Sequence, residues 1–533
     1  MVEGRESPGR RSDLDALRAF AMLLGIVLHG AISFVPGAGL IWGVQDSESS
    51  TAFTILMELI HGWRMPLFFL VSGFFTMMLW KKRGLLLLLK QRSLRILLPL
   101  VIGMLTIIPV NIAVGIYVRS DEQKESANYG QPVTKVAFLQ NEEEISVDIF
   151  AAVVVSDLES MQSYLDQGGN LDQRDAFGST PLHIACLFGR SASAVWLIRN
   201  GADVEAKNHE GETPESLLYL DWETTKWIAD QFSIPVEEQE LRAERIAIAA
   251  VLQEELDREI IIGEMRSSEE DIVGALIWIF FYLPVWQHLW FLYFLCWFVI
   301  GFAVVVPWMT KLHWLSAGRP WVVGWRRFLW LLPLTAIPQM FMAWEPNAFG
   351  PDTSIGLLPL PAVLVYYSIF FGFGAVYYLA DDVNVKVGRH AVVMIVFSLV
   401  VLFPLALSLK NPEGIGGRAV YSLIEVSFAW LMTFGLLGVF HRWLAVPRGW
   451  VRYLSDASYW MYLVHVPLII LMQFWVSTWQ IPAVFKFLLV CGSTIAVLLV
   501  SYQAFVRWTY IGWLLNGRMY PWAKTDKQSE GTT

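Results

Sequence analysis

Residues 286–307, WQHLWFLYFLCWFVIGFAVVVP, decide the fold, because this run contains one histidine, His288, and no Asp, Glu, Lys or Arg. About 20 apolar helical residues suffice to cross the hydrocarbon core of a bilayer. Comparable runs recur along the chain of 533 residues, of which 55% are hydrophobic and 16% are charged. Soluble domains carry roughly 25% charged residues. The composition therefore excludes a soluble enzyme and a disordered chain, and it predicts an all-α polytopic membrane protein.

The apolar runs and their charged flanks predict ten transmembrane helices. They lie near residues 19–35, 62–80, 96–118, 286–307, 328–345, 357–379, 391–409, 419–440, 455–476 and 483–506. The short apolar segment 272–283 is predicted to be either interfacial or re-entrant, and the leucine-rich segment 81–95 is predicted to lie along the inner membrane interface. Lys and Arg concentrate in the loops on one side, which predicts that both termini are cytoplasmic.

An acidic insert interrupts this membrane protein. Residues 119–271 contain 12 Lys/Arg and 32 Asp/Glu, whereas the rest of the chain contains 27 and 16. We therefore expect a membrane part over 1–118, the insert over 119–271, a second membrane part over 272–510 and a cytoplasmic tail over 511–533. The basic clusters flank the spans, so nothing indicates nucleic-acid binding. Because the insert follows an outward-running third span, it is predicted to be extracytoplasmic.

Within the insert, two sequence features recur at an offset of 33 residues. The segment GSTPLHIA at 178–185 returns weakly as GETP at 211–214, and Gly168 returns as Gly201. This period and wording resemble the ankyrin repeat over about residues 146–232. The resemblance implies that His183 is structural and that the charged segment 235–265 supplies a covering helix. The insert is then either a binding surface for a protein partner or a tolerated spacer.

Few ionisable groups fall at membrane depth, and each is a functional hypothesis. Arg18 and His29 are eleven residues apart, which places both on one helix face about 16 Å apart. His465 lies at a comparable depth in another span, thirteen residues beyond Arg452. Two imidazoles from different helices are therefore predicted to meet. They are either a proton-transfer site or polar residues that hydrogen-bond across helices.

Other charged side chains suggest where ligands bind. Arg92 and Arg95, one turn apart at the inner interface, either grip a phosphorylated ligand or anchor the helix. Arg64 and His61 are placed at the outer start of the second span, either to receive an anionic or hydroxylated substrate or to meet lipid headgroups. Glu425 is interpreted as the only carboxylate well within a span, where it either pairs with a cation of the bundle or takes part in catalysis.

Five motifs appear in an order that resembles the membrane-bound acyltransferase-3 family. They are Asp15-Ala-Leu-Arg18 through His29; Arg64-Met-Pro-Leu-Phe-Phe-Leu-Val-Ser72-Gly73; Arg92-x-x-Arg95; His288-Leu-Trp290; and Ser458-Tyr-Trp-Met-Tyr462-Leu-Val-His465-x-Pro467. The resemblance covers about residues 13–118 and 284–510 and leaves out the insert. Helix packing is the expected role of the small pair Ser72 and Gly73.

The resemblance implies a multi-pass protein of a bacterial inner membrane that transfers an acyl group, succinyl or acetyl, from cytosolic acyl-CoA to hydroxyls of an extracytoplasmic glycan. No bound cofactor and no metal is expected, because acyl-CoA is itself the donor substrate. The assignments are His29, His465 and Tyr462 for catalysis, Arg18, Arg92 and Arg95 for the donor, and His61, Arg64, His288, Trp290 and Glu425 for the acceptor. A proton-coupled transporter or flippase and a non-catalytic ankyrin-bearing scaffold are the alternatives.

Overall fold

The computed structural model describes residues 11–36, 38, 42–128, 148–175, 178–208, 211–231, 234–256, 258, 260, 276–309, 319–342, 349–410, 412, 414–517 and 520. The described residues form helices and contain no strand, which confirms the predicted all-α class. Three predicted features lie partly outside the described residues. They are the apolar segment 272–283 as far as residue 275, the end of the predicted span 328–345, and most of the tail 511–533. Two compact units are present: residues 1–32, 52–114 and 278–533 in one, and 33–51 and 115–277 in the other.

The first unit is the membrane bundle, and its helices are long and apolar. We number all helices in chain order; those of the bundle are α1 (Ser12–Ile32), α2 (Thr51–Arg92), α3 (Leu98–Asn128), α10 (Trp290–Met309), α11 (Arg319–Val323), α12 (Arg327–Met340), α13 (Pro361–Leu379), α14 (Ala391–Phe397), α15 (Phe403–Ser408), α16 (Gly414–Leu444), α17 (Gly449–Ser477), α18 (Ala483–Ser501) and α19 (Tyr510–Asn516). Helix α3 runs on from the bundle into the second unit.

Eight helical stretches in the described residues are long and apolar enough to cross a membrane. The predicted spans 62–80 and 96–118 both fall in one of them, Thr51–Val118. The predicted span 328–345 meets α12, whose 14 residues reach about 21 Å and fall short of a bilayer core. Large apolar side chains such as Leu105 and Val500 remain exposed on these helices, as expected for surfaces that face lipid.

Four helix starts lie several residues before the predicted span. Helix α1 begins at Ser12, α2 at Thr51, α16 at Gly414 and α17 at Gly449. Polar residues in these first turns hid the starts from a hydropathy reading. The correction places Arg64 thirteen residues inside α2, and Glu425 is not the only carboxylate within a helix, because Glu58 and Asp13 are also helical.

Helix α2 is interrupted at Gly84, whose φ of 77° and ψ of 174° are not helical. Glycine adopts this backbone conformation without a steric penalty. The segment after it exposes Leu86 and Leu87 beside basic residues. This break separates the leucine-rich segment from the span before it.

Small residues bring α2 and α13 into backbone contact. A Cβ on Gly73 would lie 1.9 Å from the carbonyl oxygen of Phe371, and a Cβ on Gly374 would lie 1.9 Å from that of Leu70. No side chain fits at either point, so the two glycines fix this helix crossing. The packing role expected for Gly73 is confirmed.

The second unit contains the ankyrin-like helices. Its helix pairs are α4 (Ile149–Val155) with α5 (Leu158–Asp166), α6 (Pro181–Leu187) with α7 (Ser191–Arg199), and the 3₁₀ turn Glu215–Tyr219 with α8 (Trp222–Gln231); α9 (Glu238–Leu256) follows. Gly168 and Gly201, 33 residues apart, have φ values of 83° and 89°. Equivalent positions therefore adopt the same left-handed backbone, and the repeat prediction is confirmed.

His183 is buried and joins two consecutive repeats. Its Nδ1 accepts hydrogen bonds from the Thr180 amide at 3.1 Å and lies 2.8 Å from the Thr180 hydroxyl, while its Nε2–H donates to the Glu212 carbonyl at 3.0 Å. Pro181 begins the helix. Burial lowers the pKa of His183 below its usual value, which favours this neutral form. The residue is structural, as the repeat resemblance implies.

Helix α9 covers the last repeat through Arg245. The buried guanidinium donates to the Leu187 carbonyl at 2.7 Å and to the Thr225 hydroxyl at 2.9 Å. Burial lowers the pKa of Arg245 to about 10, so it stays protonated at neutral pH. The covering helix expected within 235–265 is therefore present, and a charged side chain fastens it to the repeat core.

Candidate active site

A cavity of about 440 Å³ lies between α1, α2, α10 and α17 in the membrane bundle. The three arginines assigned to the donor, Arg18, Arg92 and Arg95, all line it. Two carboxylates, Asp15 and Asp456, line it as well, so its charged groups sum to a positive excess. Residues separated by more than 70 positions in sequence thus converge on one cationic cavity.

Arg92 and Arg18 each donate a hydrogen bond to a neutral hydroxyl group near the cavity. Arg92 donates to the Thr76 hydroxyl at 2.8 Å, but its buried Nε has no hydrogen-bond partner among the described residues. Arg18 donates to the Ser455 hydroxyl at 3.0 Å and lies 3.9 Å from Asp15. Because like charges held together are costly unless an anion joins them, this cluster suits a multiply anionic ligand.

Three imidazoles from different elements meet deeper in the bundle. The His29 and His465 ring centroids are 5.2 Å apart, and the His288 and His465 centroids are 5.4 Å apart. Helix α1 supplies His29, α17 supplies His465, and His288 lies in the 3₁₀ turn Gln287–Leu289 before α10. The sequence predicted that His29 and His465 meet, because they lie at comparable depths in two spans, and the ring distance agrees with this. The third ring, that of His288, was not expected in this cluster.

Backbone carbonyls fix the tautomers of two of these rings. His288 Nε2–H donates to the Leu463 carbonyl at 3.1 Å, and its Nδ1 lies 3.4 Å from the Asn111 amide nitrogen. His465 Nδ1–H donates to the Tyr462 carbonyl at 2.7 Å. Neutral His465 therefore presents Nε2 as its proton-accepting nitrogen, whereas both nitrogens of His288 are engaged. His465 and His29 are the better placed pair for proton transfer.

The helix faces that line the cavity continue toward the imidazoles. On α2, Phe68 and Phe75 line the cavity, and Arg64 lies one turn before Phe68 on the same face. On α1, Arg18 lines it, and His29 projects from the same face about 16 Å farther along. The arginines and the imidazoles thus lie at two levels along the same faces of α1 and α2.

The other two walls show the same continuation. On α17, Ser458 lines the cavity, and Tyr462 and His465 follow at positions i+4 and i+7. Leu292 lines it on α10, one turn after His288. His29, His288 and His465 do not line the cavity. The ring of its wall residue Phe291 lies 6.0 Å from that of Tyr462, which precedes His465 by one turn of α17.

Gln473 holds the end of α1 next to the histidines, a role that sequence reasoning missed. This buried side chain on α17 donates to the carbonyls of His29 at 3.0 Å and Gly30 at 3.1 Å. Carbonyls in the last turn of a helix lack partners from their own helix. Gln473 therefore fixes the position of His29 relative to the helix that carries His465. An apolar reading of α17 gave no reason to single it out.

Arg64 lies nearer to the imidazoles than its predicted place at the helix start. The Nη1 atom of Arg64 packs against Gly25 of α1, where an added Cβ atom would lie only 2.6 Å from it. Gly25 is one turn before His29. Its guanidinium acts electrostatically on both His29 and His465. Arg64 therefore belongs to the histidine cluster.

His61 and Glu425 are joined through one loop. His61 Nε2–H donates to the Pro351 carbonyl at 2.7 Å. The neighbouring Gly350 amide donates to Glu425 at 2.9 Å, and Gln339 donates to the same carboxylate at 2.9 Å. Glu425 thus holds the loop that contacts His61. Its partners are neutral groups, not the cation that the sequence suggested as one possibility.

Trp290 and Tyr462 are engaged in packing and hydrogen bonding. The Trp290 ring is buried among Phe294 and Tyr367, with centroids at 5.3 and 5.6 Å. Tyr462 donates from its hydroxyl to the His288 carbonyl at 2.8 Å. The predicted acceptor role of Trp290 and catalytic role of Tyr462 stay predictions. Tyr462 thereby joins α17 to the segment that carries His288, and Trp290 packs α10 against α13.

Comparison with known proteins identifies relatives of part of the chain. Glucans biosynthesis protein C of Escherichia coli K12 is 38% identical over 97 residues, and those of strains SMS-3-5 and O1:K1 / APEC are 37% identical over the same length. The matched stretch covers 18% of this chain and 23% of each relative. No solved structure matches.

Family models match both kinds of region in the chain. A model of ankyrin repeats matches residues 164–214, inside the predicted 146–232. A model described as an acyltransferase domain matches residues 11–127 and 247–504, which together are more than half of the chain and contain the three arginines of the cavity and the three imidazoles. The chain is a membrane protein that belongs to the acyltransferase-3 family.

Proposed function

We propose that this protein transfers a succinyl or acetyl group from cytosolic acyl-CoA to hydroxyls of an extracytoplasmic glycan such as a periplasmic glucan. The observation that carries the proposal is the arrangement of Arg18, Arg92 and Arg95 around one cavity whose walls lead to His29 and His465. The similarity to glucans biosynthesis protein C supports a glucan as the acceptor class. The family supports acyl transfer as the chemistry.

The donor end of the reaction follows from charge. Acyl-CoA carries several phosphates, and guanidinium groups bind phosphates through charge-assisted hydrogen bonds. The unpartnered Nε of Arg92 points to where such a bond forms. With its phosphates at the arginines, the thioester arm extends along the same faces of α1 and α2 toward the imidazoles, and the Phe291 and Tyr462 side chains move aside to admit it.

The transfer step needs a base at the imidazoles. His29, paired with His465, accepts the proton of the acceptor hydroxyl while the hydroxyl oxygen bonds to the thioester carbonyl carbon. Collapse of the tetrahedral intermediate breaks the carbon–sulfur bond, and the leaving CoA sulfur takes up the proton. Arg64 and the Tyr462 hydroxyl are the donors placed to stabilise the developing oxyanion. An acyl-imidazole on His29 is an alternative route to the same ester.

The acceptor end is the loop around Gly350 and Pro351. His61 and Glu425 shape this loop, and Trp290 lies in the wall beside the histidines. We assign acceptor recognition to this region because it lies away from the arginine cavity, on the other side of the imidazoles. Entry of the two substrates from opposite ends lets the reaction cross the bilayer without moving the glycan.

Labelled transfer in proteoliposomes tests the proposal. Full-length protein receives acyl-CoA labelled in the acyl group on one side and a glucan on the other, and the glucan is recovered and its mass measured. Covalent label that disappears in His29→Ala but persists in the control His390→Ala, an exposed histidine, supports acyl transfer. If the label crosses the membrane without becoming bonded to the glucan, the protein is a transporter. If the glucan stays unlabelled and no label crosses the membrane, the scaffold alternative is favoured.

The topology is tested separately. We propose that the protein lies in a bacterial inner membrane with both termini cytoplasmic and the insert outside. Protease added to intact spheroplasts should then cleave between residues 119 and 145. Protection of that segment, with cleavage only after lysis, would place the insert in the cytoplasm and contradict the span assignment.

A further inference from the structure

Helix α19, which lies beyond the matched acyltransferase domain, forms part of the wall of the arginine cavity. The family match ends at residue 504, whereas α19 covers Tyr510–Asn516. Two residues of this helix, Leu515 and Asn516, line the cavity together with the three arginines. The cavity is therefore completed by residues that the family match does not include.

Close packing holds α19 in place. Gly512 lies so near the Val506 carbonyl that an added Cβ atom would overlap it. The Asn516 amide donates a hydrogen bond to the Tyr502 hydroxyl at 3.1 Å, and Leu515 is buried. The helix is thus fixed in its first half and at its end, and it presents a defined surface to the cavity.

Gly517 follows α19 and lies directly against Arg95. Its φ of 71° is in the left-handed region, and its amide donates to the Trp513 carbonyl at 2.7 Å. An added Cβ atom at Gly517 would overlap the Arg95 guanidinium. Both the backbone conformation and the contact therefore require glycine. The guanidinium lies at the end of the helix where the last carbonyls favour a cation.

This contact matters because Arg95 belongs to a cluster of like charges. Arg92 lies within electrostatic range of both Arg95 and Arg18. Repulsion drives such guanidinium groups apart, and a half-buried arginine has many rotamers. Contact with the end of α19 restricts the rotamers of Arg95 before the donor arrives, which lowers the entropic cost of binding a phosphate there.

A second contact acts on Asp456, a carboxylate that also lines the cavity. The Tyr520 hydroxyl donates to Asp456 at 2.6 Å, and the Tyr520 ring packs against the Arg507 guanidinium at 5.0 Å. A carboxylate that already accepts a strong hydrogen bond competes less with phosphates for the arginines. Tyr520 thus keeps Asp456 from occupying the cations that the donor needs.

We propose that Gly517 and Tyr520 are positioning residues for the acyl-CoA donor, Gly517 acting through Arg95 and Tyr520 acting through Asp456. The inference rests on the proposed function, since it assigns both residues to the binding of the donor phosphates. Because the two contacts lie at the arginine cavity and not at the imidazoles, they act on donor affinity and leave the transfer step unchanged.

The test measures the Kd of the full-length protein for CoA by calorimetry, and the KM for acyl-CoA and kcat by labelled transfer. Gly517→Ala should raise Kd and KM by about 10-fold, the contribution of one charge-assisted hydrogen bond, with kcat nearly unchanged. The matched control is Gly414→Ala, because Gly414 also has a positive φ, 64°, but open space where the Cβ atom would lie. It should leave Kd unchanged. Tyr520→Phe should raise Kd by about 5-fold.

A double-mutant cycle separates positioning from a general effect on the fold. In an Arg95→Ala protein, Gly517→Ala should raise Kd no further, whereas a full additional loss would overturn its role through Arg95. An unchanged Kd in Gly517→Ala or in Tyr520→Phe would overturn the role of that residue. If Gly517→Ala does not fold, Tyr520→Phe, which removes one oxygen atom, decides whether the segment acts on the donor. A wild type that binds no CoA would contradict the proposed donor site, and this inference with it.

Discussion

His183 in the ankyrin repeats and His465 in the membrane bundle are both buried, but their surroundings differ. Both nitrogens of His183 bond to its own turn and to the next repeat. The His465 ring has one nitrogen held by its own helix and faces the rings of His29 and His288 from other elements. A histidine satisfied by neighbouring backbone stabilises a fold, whereas imidazoles gathered from separate helices beside a cationic cavity are suited to proton transfer.

The largest expected difference between the membrane bundle and the ankyrin repeats is in kcat, when a histidine of each is replaced by alanine. Because general base catalysis contributes roughly 10²- to 10⁴-fold, we expect His29→Ala to lower kcat by that factor while the protein still folds. The matched change His183→Ala should disturb the repeats and leave kcat nearly unaltered. Steady-state kinetics with labelled donor measures both. A similar kcat for His29→Ala and the wild type would refute the catalytic assignment.

Arg92→Ala should weaken donor binding. One charge-assisted hydrogen bond to a phosphate accounts for about 10- to 100-fold in affinity. We expect the KM for acyl-CoA to rise by that factor with little change in the KM for glucan, and Arg18→Ala to act in the same direction. The control is Arg389→Ala. Equal effects on donor and acceptor would show that the arginine cavity is not the donor site.

Gln473→Leu should lower kcat by about 10-fold, because it removes two hydrogen bonds that position the end of α1, each contributing roughly 1 kcal/mol. The KM for acyl-CoA should stay near the wild-type value, since Gln473 does not line the arginine cavity. Gln473→Glu keeps an acceptor but loses the donor amide, and it should not restore kcat. A rise in donor KM without loss of kcat would contradict the positioning role.

The smallest effect should be a pH dependence confined to the repeats. Burial lowers the pKa of His183 in the folded protein, so its neutral form stabilises the repeats fully above the unfolded value of about 6.5, and this contribution is lost as the pH falls toward the folded pKa. Hydrogen exchange of residues 178–187 in the full chain, corrected for intrinsic rates, should show faster opening near pH 5.5 than at 7.5. In His183→Asn that difference should disappear.

The sequence predicted most of the fold because its signals are local. Apolar runs separated the spans, and the 33-residue offset of Gly168 and Gly201 identified the repeats. The early start of α2 was not predictable from hydropathy, because its first turns contain polar residues such as Glu58, which pairs with Lys410 across 352 positions. A partner this far away in sequence stabilises a charge within a helix, whereas a hydropathy window, which sees only neighbouring residues, would not assign that charge to a span.

The site was predictable in part for the same reason. Depth along the helices brought His29 and His465 together, and residue spacing placed Arg92 and Arg95 side by side. Spacing along one helix cannot show which side chain of another helix bonds to it. Gln473, Asn111 and the contact of Glu425 with Gly350 therefore became visible only in three dimensions.

A cryo-electron microscopy structure of the full chain with a non-transferable thioether analogue of acyl-CoA tests the central claim most directly. The account predicts phosphate density at Arg18, Arg92 and Arg95, with the acyl carbon beside His29 and His465 after Phe291 or Tyr462 has moved. Density for the analogue at another surface, or an acyl carbon that ends away from both imidazoles, would contradict it.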